Sequence, residues 1–232
     1  MGEMEGIIVG CDLFQEWLLP WWWENYRRHN RYPVAFFDFG LSERMKEWCR
    51  ERGDLIWLHG ILVGDREEVR PALVHEWESL YGDAFWNYRE AWFKKPLACL
   101  RSPFERSVWL DLDCEVLGSL AFLFQACLPP SGLALAKDQT VATYNSGVIA
   151  FQDGCPIIQE WANQSIEKAD VFRGDQDLLS HIIADKKASI CELPSIYNWN
   201  VGYGANPEAI VCHWLGPAAK NALRNQMILN DL

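Results

Sequence analysis

The sequence predicts an α/β fold, a mostly parallel central sheet flanked by helices on both faces, and three observations predict it. Short apolar runs alternate with segments of helical hydrophobic spacing along most of the chain. The 232 residues, 50% of them hydrophobic, suffice for one large α/β core and are few for two, so 1–232 reads as a single domain. Glycine and proline fall between the runs, as at Gly10, Gly53 and Pro103, and no repeat, low-complexity tract or linker interrupts them.

Taken in order, Ile7-Ile8-Val9 is a strand closed by Gly10, and Leu13, Trp17, Leu18 and Trp21 then mark a helix over 12–29. Val34-Ala35-Phe36-Phe37 makes the second strand, ending at Asp38. Ser42 is placed to cap a charged helix that runs to Arg52 and is stopped by Gly53. A third strand covers 55–58. Residues 87–100 read as helix despite Pro96, and Pro103 separates them from the apolar strand Val108-Trp109-Leu110. Beyond it come a helix over 120–127, strands over 133–136 and 148–151, helices over 157–169 and 175–184, and a strand over 210–213. Sheets of this kind place ligands at the carboxyl ends of their strands.

A net charge of −11 argues against a nucleic-acid surface, because phosphate backbones are held by clustered Lys and Arg. Any polyanionic ligand is therefore small, met by local cations or a metal. The eight cysteines are scattered without a C-x-x-C pair, and no signal peptide is recognisable, which points to reduced, buried thiols and a cytoplasmic protein. No run approaches the ~18 apolar residues of a transmembrane segment. The Trp21-Trp22-Trp23 run, in a chain with 13 tryptophans, suits a core-facing helix, with a membrane interface or an acceptor contact as the alternative.

Asp111 and Asp113 stand where the strand from Val108 runs out. While the extension lasts they share one face and Leu110 and Leu112 the other. Two carboxylates so close raise one another's pKa unless a cation intervenes, and a hard divalent ion is the simplest resolution. The spacing alone carries little, because 14 aspartates produce it by chance and Asp175-Gln176-Asp177 repeats it. The strand-end position favours metal; a turn or helix-capping role for Asp113 is the alternative.

The segment from Val108 to Leu117 resembles the Asp-x-Asp segment of GT-A glycosyltransferases, especially the retaining enzymes of family 8. Further blocks follow in that family's order: Tyr144-Asn145-Ser146-Gly147-Val148, Gly174-Asp175-Gln176-Asp177-Leu178-Leu179, Leu193-Pro194-Ser195-Ile196-Tyr197-Asn198 and Cys212-His213-Trp214-Leu215-Gly216-Pro217. Asp38-Phe39-Gly40-Leu41 fits as well. The resemblance implies a GT-A fold and a metal-dependent transferase that moves a hexose from a nucleotide-sugar, a UDP-sugar, to a carbohydrate or other hydroxyl acceptor.

It further implies that Asp111, Asp113 and His213 bind one divalent ion, Mn2+ or else Mg2+; on its own, His213 reads as a structural histidine at a strand end. Val9, Gly10, Cys11 and Phe14 would line the base and ribose, with Leu112 beside the donor, Gly10 allowing close approach and Phe14 stacking. Lys95 would meet the donor phosphates, with Lys94 as competitor and a solvated lysine pair as the alternative. Asp138, Asn145 and Ser146 would reach sugar or acceptor hydroxyls, the last two from a loop that Gly147 lets turn sharply. Asp175 and Gln176 would face the anomeric centre, unless Asp175 is simply a helix cap.

One departure stands out. The family's lysine after its His-x-x-Gly block comes one residue late here, as Lys220, and little chain follows, so a long C-terminal tail is not expected. That irregularity makes a catalytically silent nucleotide-sugar-binding module the alternative function. A sugar-1-phosphate nucleotidyltransferase would carry a Gly-rich basic loop after its first strand, which Gly10-Cys11-Asp12-Leu13 is not.

Overall fold

The computed structural model describes residues 4–58, 60–61, 63–138 and 143–230, without the side chains of 228–230. Its elements begin with β1 (Glu5–Cys11), α1 (Leu19–His29), β2 (Val34–Asp38), α2 (Glu43–Arg50) and β3 (Asp54–Trp57). Next come α3 (Pro71–Tyr81), α4 (Trp86–Leu100), β4 (Arg106–Leu110), β5 (Cys114–Val116), α5 (Ala121–Ala126), β6 (Leu133–Lys137) and β7 (Tyr144–Gln152). The chain closes through α6 (Pro156–Glu167), α7 (Asp175–Asp185), β8 (Cys191–Leu193), β9 (Trp199–Asn200), β10 (Val211–His213) and α8 (Pro217–Asn230).

A seven-stranded sheet in the order β3-β2-β1-β4-β7-β6-β8 forms the centre. The first four strands are mutually parallel, β7 runs antiparallel to both β4 and β6, and β8 returns parallel to β6. The predicted mostly parallel sheet is therefore present, with one reversed strand. Apolar runs with no polar alternation suit strands covered on both faces. In β1, Ile7 and Val9 enter one core with Trp22, Tyr26 and Phe124, while Ile8 enters the other with Phe37, Trp109 and Trp161.

A small second sheet, β5-β10-β9, lies beyond the end of β4. β10 pairs antiparallel with β5 in a register that sets His213 opposite Cys114, and parallel with β9. Distant parts of the chain meet there.

Several expectations are corrected. The helix expected over 12–29 starts only at Leu19. Asp12 Oδ1 accepts from the Phe14 and Gln15 amides, closing a turn that a short 3-10 segment, Glu16–Leu18, then joins to the helix. Asp111 and Asp113 do not share an extended face, because β4 ends at Leu110 and the Cys114 amide bonds to the Asp111 carbonyl across a turn. Ser42 does cap α2, its Oγ accepting from the Met45 amide, and α4 runs unbroken through Pro96. The tryptophan run is packing: Trp22 is fully buried, and Trp21 and Trp23 lie half-buried against the same core. All eight cysteines are free. Among the described residues no helix is long and apolar enough to cross a membrane.

Candidate active site

A cleft of about 520 Å3 opens at the carboxyl ends of β1 and β4. Its floor is the turn after β4. Trp109 Nε1 donates to Asp111 Oδ1 at 2.7 Å, and the Asp111 amide donates to the Gly147 carbonyl at 2.8 Å, tying the turn to β7. Asp113 is nearly fully buried. The β5–β10 pairing then carries His213 inward, so that its Nε2 lies 3.3 Å from Asp113 Oδ1 and 3.9 Å from Asp111 Oδ2. Asp113, Cys114 and His213 present ligand atoms within 4.8 Å of one another.

The imidazole is held from behind. His213 Nδ1 faces Asn198 Oδ1 at 2.9 Å, while Asn198 Nδ2 donates to Asn145 Oδ1 at 2.8 Å. With the Asn198 amide committed as donor to Asn145, its oxygen accepts from Nδ1–H, which leaves a lone pair on Nε2 in the neutral ring. That Nε2 is buried and without a hydrogen-bond partner among the described residues. A buried nitrogen that faces carboxylates and lacks a donor or acceptor partner suits a metal ion, and Asp111, Asp113 and His213 make an oxygen-and-imidazole set fit for a divalent cation.

Gly147 is required here for a reason other than the expected turn. A Cβ on it would lie 2.2 Å from His213 Cε1 and 2.5 Å from its Nδ1, so only glycine lets the ring sit against β7. Similarly, Gly10 makes room for the Phe39 ring, which a Cβ would meet at 2.5 Å.

A buried lysine and a half-buried one balance the carboxylates. Lys95 Nζ lies 3.0 Å from Asp111 Oδ1 and 3.1 Å from Asp175 Oδ2, and donates to Ser146 Oγ at 3.1 Å. Burial opposes its charge, yet the two aspartates outweigh that and raise its pKa above the ordinary lysine value. Lys220 Nζ stands 3.0 Å from Asp113 Oδ2. Burial would raise the Asp113 carboxyl, but the Lys220 ammonium beside it prevails and holds it well below the usual range. Asp175 stays raised through burial, in spite of Lys95. Lys94 points elsewhere, to Glu90 and the Phe39 carbonyl. Neither lysine belongs to a solvated pair.

Most of the expected site residues converge on this cleft: Gly10, Cys11, Phe14, Lys95, Asp111, Leu112, Asp113, Asn145, Ser146, Asp175, Gln176 and His213 all line it. Asp175 is not the cap of α7; Gly174 holds that position, and the Asp175 carboxylate accepts from Ser146 Oγ at 2.8 Å. Gln176 Oε1 accepts from the Ser146 amide at 3.2 Å. Two expected residues lie apart. The Val9 side chain is sealed in the core beneath the cleft, and Asp138 sits beyond β6, its amide bonded to the Thr143 carbonyl, outside the cleft lining. Trp109 and Asn198 were not singled out by sequence reasoning, although Asn198 ends one of the recognised blocks.

No protein-family model and no curated protein sequence matches the chain. Solved structures do. The apo glycosyltransferase GlyE of Streptococcus pneumoniae TIGR4 superposes with a TM-score of 0.63 at 18% identity, over 92% of this chain and 55% of that one. The galactosyltransferase LgtC, solved with donor and acceptor sugar analogs, gives 0.59 at 18% identity, over 93% and 88%. Mouse xyloside xylosyltransferase 1 gives 0.55 at 13% identity, over 92% and 97%. The chain thus spans about half of GlyE and most of the other two. Sheet order, a cleft at the strand ends and these likenesses establish that the chain has the GT-A glycosyltransferase fold.

Proposed function

We propose that the protein is a retaining glycosyltransferase that moves a hexose from a UDP-sugar to a carbohydrate or other hydroxyl acceptor, using Mn2+, or else Mg2+, held by Asp111, Asp113 and His213. The observation that carries this reading is the buried, partnerless Nε2 of His213, fixed by Asn198 and aimed at two carboxylates. When bound, the ion supplies positive charge to the diphosphate leaving group.

The chain's own groups have separable tasks. Phe14 is 55% exposed at the cleft mouth, which leaves its ring face free to stack on a base, with the Gly10 and Cys11 backbone alongside. Lys95 holds Asp111 and Asp175 in place through its two ion pairs. Gln176 spends its oxygen on the Ser146 amide, which turns its NH2 group into the available donor for a ligand oxygen. Asp175 already accepts from Lys95 and Ser146, so it is a poor nucleophile. That supports attack by the acceptor on the donor's leaving-group face, assisted by the departing phosphate, over a covalent enzyme intermediate. The silent-module alternative draws on the displaced Lys220, which reaches Asp113 Oδ2 at 3.0 Å, and donor hydrolysis decides between the two readings.

The test is titration calorimetry with UDP. Binding by the wild type should tighten at least about tenfold when Mn2+ replaces EDTA, a shift typical of one charge-assisted contact or more. Asp113→Ala should lose that dependence. Equal UDP affinity with and without divalent ion would sink the proposed site. Donor hydrolysis across a panel of UDP-sugars then separates an enzyme from a binding module.

A further inference from the structure

On α8, Leu223 is 1% exposed and Met227 packs against the same core, so this face anchors the helix. Beside that face the helix carries Lys220, Asn221 and Arg224, and all three line the cleft. Lys220 is committed to Asp113 at the metal end. Arg224 lies four residues further on, about 6 Å along the axis. Its guanidinium sits over the Trp17 ring, 4.4 Å from the centroid, and Trp17 belongs to the same wall of the cleft as Phe14. Among the described residues no carboxylate lies within ion-pair range of Arg224.

A guanidinium normally trails in water or pairs with an acid. Stacked on an indole, it is held in one place at little entropic cost while all its N–H groups stay in the ring plane, directed sideways. Arg224 and Trp17 line the same cleft as the carboxylate–imidazole cluster and the exposed Phe14 ring. The 3-10 segment Glu16–Leu18 and the turn closed by Asp12 fix Trp17 where it is, so the platform does not depend on a ligand to form.

We infer that Arg224, seated on Trp17, is a phosphate-gripping residue for the nucleoside diphosphate, independent of the divalent ion and dispensable for the fold. This rests on the UDP-sugar reading of the same cleft. Two planar N–H donors match a phosphate's oxygens, whereas the ammonium of Lys220, one turn away, is already spent on Asp113.

Calorimetry with UDP, UMP and uridine, in EDTA and in Mn2+, tests it on the wild type, Arg224→Gln, Arg224→Lys and Trp17→Leu. Arg224→Gln should weaken UDP and UMP at least about tenfold in EDTA while leaving uridine unchanged. Arg224→Lys should recover only part of the loss, and Trp17→Leu should mimic Arg224→Gln in direction. Thermal unfolding of Arg224→Gln should match the wild type, because the side chain is exposed. Unchanged UDP affinity in Arg224→Gln, or an equal loss for uridine, overturns the inference while the metal-site reading stands. A wild type that binds no UDP even with Mn2+ overturns both.

Discussion

The Asn198 carboxamide accepts from His213 Nδ1 at 2.9 Å and donates to Asn145 at 2.8 Å, so it dictates which imidazole nitrogen keeps a lone pair. An aspartate at 198 would still accept from Nδ1 but could not donate to Asn145. Such outer partners of metal-binding histidines are worth about 10–100-fold in affinity. Asn198→Asp and Asn198→Ala should therefore both weaken Mn2+ binding by that order, read by electron paramagnetic resonance of the free ion, while the fold survives. Equal Mn2+ affinity in the wild type and both variants would detach Asn198 from the metal. At this scale the sequence was partly readable. Asp111, Asp113 and His213 stood out because acidic and imidazole side chains in ordered blocks suggest ligands. Gly147 was noticed for the wrong reason, since no local pattern records that an imidazole from residue 213 lies against it.

Arg89 shows how an element is held from outside the cleft. It is fully buried near the start of α4, and its guanidinium donates to the Gly64, Ala169, Phe172 and Arg173 carbonyls while stacking on Trp77, Trp86 and Phe93. Burial lowers its pKa to about 10, so it stays charged at neutral pH. Three of those carbonyls belong to the segment that leads into Asp175 and Gln176 at the head of α7. Arg89→Met would strand several buried acceptors, each costing about 1–3 kcal/mol. A loss of about 3 kcal/mol or more in urea denaturation is expected, together with faster hydrogen exchange across 169–176. Exchange that speeds only around residue 64 would show that Arg89 does not secure the approach to α7. Elements with strong apolar runs, β1, β2, β4 and β7, were legible in the sequence. α3 and α8 were passed over although Pro71 and Pro217 at their first positions are start signals. The short β5, β8 and β9 owe their existence to partners far along the chain, which no local window contains.

Across the whole molecule, one ammonium joins four parts of the chain. Lys95 in α4 reaches Asp111 after β4, Ser146 in β7 and Asp175 in α7. Its folded pKa is raised, so the stability it contributes is complete below the ordinary lysine value of about 10.4 and is lost only as pH climbs through the raised one. Asp175 is also raised, by burial, which means its charged form costs stability at neutral pH and that cost fades as pH falls through its folded pKa. Lys95→Met removes the cation that offsets this cost and leaves two carboxylates facing each other across a buried space. Breaking a buried pair in this way typically costs about 3–5 kcal/mol. Measured by urea denaturation in EDTA, the deficit of Lys95→Met against the wild type should be largest near pH 7. It should shrink as the pH falls through the raised pKa of Asp175, which then takes up a proton and no longer needs the lysine. A deficit that stays constant or grows with acid would mean that Lys95 acts through packing of its stem, and the carboxylates of the cleft would then need another source of compensation.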